Sequence, residues 1–296
     1  MRIFVTGASG ALGRSLLPLL VEQGHEVTAL VRSGVSHGGG SHRSVVGDLL
    51  RPTSYRDEIA DVDAVLHMAA VTHTNRAAEY YRVNRDGTDT LLKETKRAGI
   101  DRFVFVSTRA VGPAGGAYSD SKAQAEELVR GSGLQWLILR PAEVYGLDQA
   151  EMIGRLIETV GSATFVVVPG DGSYELAPLH IDDLVLAMSR LISKTPAVIG
   201  VFTLAGPESL SFNEWIDRIA GARGVRPLKI HVSLALLSIA ASAMGLIRIR
   251  RPPIVKDQVA RLVLAKDADI APARRAIDFS PRTLAEHLAL RPGADS

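Results

Sequence analysis

Through the first two-thirds of the chain, short continuous apolar runs alternate with stretches whose apolar positions recur every three to four residues. The runs at 2–6, 26–31, 63–68, 102–107 and 134–139 are continuous rather than alternating in hydrophobicity, which predicts strands covered on both faces. Between them, 11–23 and 80–98 have a helical period. In the second, Val83, Gly87, Leu91, Leu92 and Ala98 mark the face that packs on a sheet, and Gly99 stands where a C-terminal cap is expected. Strand and helix in alternation predict βαβ units and a doubly wound parallel α/β sheet.

The segment 33–44 is rich in Gly and Ser and reads as a surface loop, with His37 and His42 as solvent-exposed histidines rather than metal ligands. After residue 150 the order weakens into a helix near 151–160, a strand at 164–168, a helix from Asp182, a strand at 201–204 and a helix opened by "SFNEW". This predicts a smaller C-terminal annex. We divide the chain into 1–163 and 164–296, with the strand near 201–205 returning to the first unit.

Composition narrows the possibilities. The 296 residues carry 34 Lys and Arg against 32 Asp and Glu, a net charge of +2, which argues against a nucleic-acid partner. With no cysteine, disulfides, thiol nucleophiles and Cys-ligated metals are excluded, and no metal is expected. The N-terminal run enters a Gly-rich turn instead of extending into a signal sequence, which predicts a cytoplasmic protein. The uncharged stretch 232–247, followed by Arg248, Arg250 and Arg251, is short for a membrane span and contains three serines. It reads as a buried or interface helix, with docking to a surface as the alternative.

The stretch "FVTGASGALGRSL" (4–16) leaves a strand and opens a helix, with glycines at 7, 10 and 13. A Cβ at such contact positions would hold a pyrophosphate away from the backbone, whereas the amides and positive dipole end of a helix start stabilise its charge. Gly7, Gly10, Ala11, Leu12 and Gly13 therefore form a candidate dinucleotide cradle of Rossmann type. At the end of the second strand, where an acidic residue would accept from a ribose hydroxyl, the chain has Arg32. Its guanidinium suits a ribose 2′-phosphate and so NADP over NAD; the other reading is an ordinary solvated arginine.

The TGxxGxxG spacing resembles the extended short-chain dehydrogenases, the family of epimerases and dehydratases acting mostly on nucleotide sugars, and the resemblance covers nearly the whole chain. It implies that Asp48 and Leu49 contact adenine and that Ala69 and Ala70 in "HMAA" flank the cofactor. It further implies that Asn84 supports the site from its helix and that "LRPAEVYG", containing Pro141, closes over the nicotinamide. The family's chemistry-bearing signature is matched by "YSDSK", which puts Tyr118 and Lys122 four apart on one helix face. The resemblance implies Tyr118 as the proton-transfer residue, favoured in its phenolate form by Lys122, which also holds the nicotinamide ribose. Thr108 takes the catalytic hydroxyl position and Ser107 lies against the cofactor.

Three departures bear on the substrate. Leu176 stands where enzymes on nucleotide sugars have an arginine that grips the diphosphate, "STRAVGP" lacks the family's tyrosine before the glycine, and Arg109 and Ala110 replace the acidic pair of dehydratases. His180 before Asp182 and Asp183 reads as structural, with an Asp as helix N-cap, and Ser280 as the cap of the final helix. The resulting expectation is an NAD(P)-dependent epimerase or ketoreductase acting on a hydroxyl or keto group of a nucleotide-sugar-like small molecule. A homodimer through 80–98 and 119–131 is implied by the resemblance. The competing reading is an NADP(H)-binding accessory or redox-sensor protein with little turnover.

Overall fold

The computed structural model describes residues 1–32, 42–146, 152–246 and 256–289. Six strands, β1 (Arg2–Thr6), β2 (Glu26–Val31), β3 (Arg43–Val46), β4 (Ala64–His67), β5 (Arg102–Val106) and β6 (Gln135–Pro141), join the strand Gly200–Leu204 in one sheet. From one edge the order is Gly200–Leu204, β6, β5, β4, β1, β2, β3, and every neighbouring pair is parallel. The chain leaves β1 toward β2 on one side and later returns to β4 on the other. That reversal opens a crevice beyond the carboxyl ends of β1 and β4.

The helices run in the order α1 (Ala11–Glu22), α2 (Ala77–Tyr80), α3 (Gly87–Arg97), α4 (Gly116–Arg130), α5 (Met152–Ser162) and α6 (Ile181–Ser193). They continue with α7 (Phe212–Arg223), α8 (Leu234–Leu246), α9 (Lys256–Val263), α10 (Ala271–Ile277) and α11 (Leu284–Ala289). Helices α1 and α6 cover one face of the sheet, burying Leu16, Leu20, Leu184 and Leu191 against Ile3, Val5 and Leu137. Helices α3 and α4 cover the other, where Leu91, Leu92, Ala125 and Val129 meet Phe4, Val65, Phe103 and Ile138. Both faces are dry, as continuous apolar strands require.

A third core, built around Trp215, Phe212 and Leu156, holds the annex together. It lies beneath a two-stranded parallel sheet, Phe165–Pro169 beside Leu228–Val232. The N-terminus of α7 carries a reciprocal capping box between Ser211 and Glu214.

Several expectations are corrected. The loop reading of 33–44 overlooked β3, an edge strand whose residues are largely exposed and therefore form no apolar run; 33–41, including His37, lie outside the described residues. The N-cap of α6 is His180, whose side chain accepts from Asp182 N, rather than an Asp. In the last helix Thr283, not Ser280, makes the capping exchange with Glu286. Helix α8 covers most of the stretch read as buried, yet Leu236 and Ile239 are exposed on it; Arg248, Arg250 and Arg251 lie outside the described residues. Among the described residues no helix is long and apolar enough to cross a membrane.

Candidate active site

The glycine comb folds as its chemistry demands. Gly7 has φ +82°, and a Cβ there would meet the backbone of Met68 and Ala69 at 2.6 Å, so "HMAA" is pressed against the turn. A Cβ on Gly13 would strike the carbonyl oxygens of Gly7 and Ala8. Gly10 is exposed at the N-cap of α1, its N–H donating to the Gly7 carbonyl at 3.0 Å. Ala11, Leu12 and Gly13 form the first helical turn, whose leading amides have no intrahelical acceptor. Beneath this turn His67 bridges Thr6 Oγ1 (2.6 Å) and Thr88 Oγ1 (3.0 Å), and burial pushes it down to about 3, so it is a neutral strut.

Arg32 is exposed at the end of β2, and Asp48, also exposed, accepts from Leu50 N at 3.0 Å in the turn after β3. Leu49 packs on Gly87, where a Cβ would meet it at 2.8 Å. Ala69 and Ala70 are half-buried along the crevice. Asn84 is buried within a π-helical turn, Tyr81–Asp86, between α2 and α3. Its side chain clasps Val71 (N–H to Oδ1, 2.8 Å; Nδ2 to O, 3.0 Å) and donates to Ser121 Oγ at 3.1 Å. The loop after β4 is thereby tied to α4.

The loop leaving β5 is clamped to the end of β6: Ser107 N donates to Leu139 O (2.7 Å) and Arg109 N to Pro141 O (3.1 Å). Thr108, between them, lies within hydrogen-bonding reach of the Tyr118 side chain. Ser107 Oγ is buried without a partner in the protein, a polar atom left for a ligand. A backbone cradle that admits no Cβ and an orphaned hydroxyl at the adjoining strand end fit a nicotinamide dinucleotide.

Tyr118 and Lys122 lie on one face of α4 but have different neighbours. Lys122 Nζ donates to Val106 O at 2.7 Å and sits 3.9 Å from the centre of the Phe105 ring; burial lowers it to about 7. The cation acting on Tyr118 is therefore Arg261 rather than the expected Lys122. Its guanidinium lies 4.4 Å over the phenol ring, while Asp257 accepts from Tyr118 N at 3.2 Å. Burial, the dominant influence, raises the Tyr118 phenol above its ordinary value; Arg261 and Thr108 oppose this and Asp257 adds to it. Both charged residues belong to α9, which covers the start of α4. Sequence reasoning missed them because the Asp257 contact spans 139 positions, Arg261 lies further still along the chain, and no motif marks either.

A second missed group lies directly behind. Glu143 joins Arg109 (2.6 Å) and Lys266 (3.0 Å), two cations whose side chains are each only 2% exposed. Those cations hold the Glu143 carboxyl below its usual range despite burial. The triad ties the loop carrying Thr108 to the segment after α9. His180, by contrast, is structural: it stacks on His287 at 3.8 Å, and Arg282 grips Asp183 through Nε (2.9 Å) and Nη2 (2.8 Å). Leu176 is fully buried in the annex core, where its carbonyl accepts from Trp215 Nε1.

Comparison with known proteins agrees with this geometry. A family model described as NAD dependent epimerase/dehydratase family matches residues 3–201. A ketoreductase of Stigmatella aurantiaca acting on 4-hydroxy-2-methyl-3-oxo-4-farnesyl-3,4-dihydroquinoline-1-oxide is 33% identical over 66% of this chain and 66% of its own. The 2-alkyl-3-oxoalkanoate reductase of Stenotrophomonas maltophilia is 28% identical, covering 97% of this chain and 96% of its own. Matches to uncharacterized mycobacterial proteins cover only 24% of those longer chains. Among solved structures, MoeE5 in complex with UDP-glucuronic acid and NAD superposes with a TM-score of 0.75 at 26% identity, over 98% of this chain and 97% of that one.

Proposed function

Because the chain belongs to the NAD dependent epimerase/dehydratase family, whose members are nicotinamide-dependent enzymes, we propose that it is a ketoreductase reducing an apolar ketone to a secondary alcohol. The observation that carries this reading is the phenol of Tyr118, buried at the end of the crevice within reach of Thr108, with burial raising it above its ordinary value. A protonated phenol is poised to give a proton, which suits reduction; oxidation would need the phenolate first.

Gly7, Gly10, Ala11, Leu12 and Gly13 would hold the pyrophosphate, Asp48 and Leu49 the adenine, Ala69, Ala70 and Pro141 the flanks, and Ser107 and Lys122 the nicotinamide end. Arg32, exposed at the ribose position, favours NADPH over NADH. When bound, the reduced nicotinamide supplies a hydride to the carbonyl carbon. Tyr118 gives its hydroxyl proton to the carbonyl oxygen, and Thr108 hydrogen-bonds that same oxygen so that proton and hydride arrive on one aligned group. Asn84, through Val71 and Ser121, keeps α4 in register with the crevice.

The apolar substrate class is supported by two observations. Leu176, at the position implied for a diphosphate-gripping arginine, is buried in the annex core. Both relatives named above are reductases whose substrates bear a farnesyl or alkyl group. An epimerase acting on a nucleotide sugar is the second reading, favoured by the similarity to MoeE5 over nearly the full chain. NADPH consumption measured against alkyl ketones, with UDP-sugars assayed in parallel for epimerisation, separates the two. Stoichiometric NADPH oxidation with a ketone, lost in Tyr118→Phe, is expected; epimerisation without net cofactor turnover would overturn the reductase assignment.

A further inference from the structure

Helix α9 sets the guanidinium of Arg261 over the ring of Tyr118, 4.4 Å from its centre. Arg261 is half-buried, and among the described residues its side chain makes no hydrogen bond and joins no ion pair. Contact with an aromatic face draws on the charge of a guanidinium but gives none of its five N–H donors an oxygen to meet. Those donors form a planar fork that matches a carboxylate.

The acid one turn away on α9 is engaged elsewhere. Asp257 Oδ1 accepts from Tyr118 N at 3.2 Å, so this carboxylate faces the amide end of α4, where the helix dipole favours negative charge. Gly116, the first residue of α4, leaves room for it, since a Cβ there would collide with Asp257 Oδ1. Behind Thr108 the balance is also positive, because Arg109 and Lys266 share the single carboxylate of Glu143. Of the two arginines bordering Thr108 and Tyr118, Arg109 thus has an acid partner and Arg261 has none.

Position limits what can fill that place. A carbonyl oxygen taking the Tyr118 proton meets the ring at its rim, whereas Arg261 stands over its face. An anion held by Arg261 must therefore lie close to the carbonyl of the same molecule, not at the far end of a long chain.

We propose that Arg261 grips a carboxylate of the substrate, and that the ketone reduced is a 3-oxo acid whose remaining chain is apolar. This rests on the reductase reading for the ketone, while the anion site itself can be read by binding alone. The carboxylate is unchanged in the reaction: the carbonyl carbon takes a hydride from the reduced nicotinamide and its oxygen takes the Tyr118 proton, giving a 3-hydroxy acid and the oxidised dinucleotide. Once paired, Arg261 no longer favours the phenolate, which leaves the proton on Tyr118 for delivery.

The test compares 3-oxodecanoate with its methyl ester in NADPH oxidation by the full chain, as wild type, Arg261→Gln and Arg261→Lys. The wild type should prefer the acid in kcat/KM, and Arg261→Gln should cut the acid-to-ester ratio at least ~tenfold through the KM of the acid, as the loss of a charge-assisted hydrogen bond requires. Both rates are read in the same protein, so any change in Tyr118 cancels in the ratio. Arg261→Lys keeps the charge and should recover part of the preference. In parallel, 3-hydroxydecanoate is titrated calorimetrically into protein saturated with NADP⁺, and should bind Arg261→Gln at least ~tenfold more weakly than wild type. Arg261-dependent binding without turnover of either ketone would uphold the carboxylate site and overturn only the reductase reading. An unchanged ratio, a wild type that prefers the ester, or a loss of NADP⁺ affinity in Arg261→Gln in place of hydroxy-acid affinity would each overturn the proposal.

Discussion

Replacing Glu143 by Gln tests whether the buried triad anchors the catalytic loop. The carboxylate sits between Arg109 and Lys266, both 2% exposed at the side chain, so its removal leaves two buried cations with no counter-charge. Removing one partner from a buried ion pair costs about 3–5 kcal/mol. An unfolding entropy near 2.1 cal/mol/K per residue gives roughly 0.6 kcal/mol/K for this chain, so the cost corresponds to a fall in Tm of about 5–8 °C. The control is Asp89→Asn on α3, which breaks the exposed Lys93–Asp89 pair and should cost less than about 1 kcal/mol. Scanning calorimetry of both variants measures the contrast. The pH dependence has a definite sign: the folded Glu143 carboxyl is depressed, so its contribution is present above the ordinary carboxylate range and is lost as pH falls through the lower folded value. Glu143→Gln should flatten that acid limb. A variant melting within a degree of the wild type, like Asp89→Asn, would refute the anchoring argument.

Other outcomes follow from the same geometry. Tyr118→Phe should lower turnover about 10²–10⁴-fold while nucleotide binding persists, as measured by kcat and by fluorescence titration. The reductase rate should decline on the alkaline side as Tyr118 loses its proton; Arg261→Leu, removing a cation that favours the phenolate, should move that decline to higher pH, and Asp257→Asn should move it to lower pH. Gly7→Ala should abolish nucleotide binding in calorimetric titration, because its Cβ would meet Ala69 at 2.6 Å. Arg32→Asp should weaken NADPH binding at least ~tenfold relative to NADH, since one charge-assisted contact is exchanged for a repulsion.

The parts of this molecule readable from its sequence are those fixed by local chemistry. Strands β1 and β2 run over the very residues whose continuous apolar character announces them, because burial on both faces leaves no room for polar positions. The comb was legible for the same reason: Gly7 and Gly13 answer to backbone a few residues away or to the neighbouring strand. Strand β3 was hidden because an exposed edge strand such as Arg43–Val46 has no apolar signature. The π-helical turn holding Asn84 leaves no mark on a helical period.

What lay beyond reach was long-range charge. Asp257 reaches Tyr118 across 139 positions and Arg261 comes from the same distant helix, and Glu143 gathers its two cations from the loop after β5 and the segment after α9. Lys122 shows the converse failure. Its spacing from Tyr118 was correct, but the position left its side chain free to turn to the Val106 carbonyl instead of the phenol.

The central claim is that the nicotinamide ring comes to rest beside Tyr118 and Thr108. A crystal structure of the protein soaked with NADP⁺ tests it most directly. The account predicts the pyrophosphate over Gly7–Gly13, the 2′-phosphate against Arg32, and the nicotinamide C4 facing the Tyr118 hydroxyl with Ser107 Oγ now partnered. A nucleotide bound elsewhere, or one whose nicotinamide is kept from Tyr118 by α9, would contradict it.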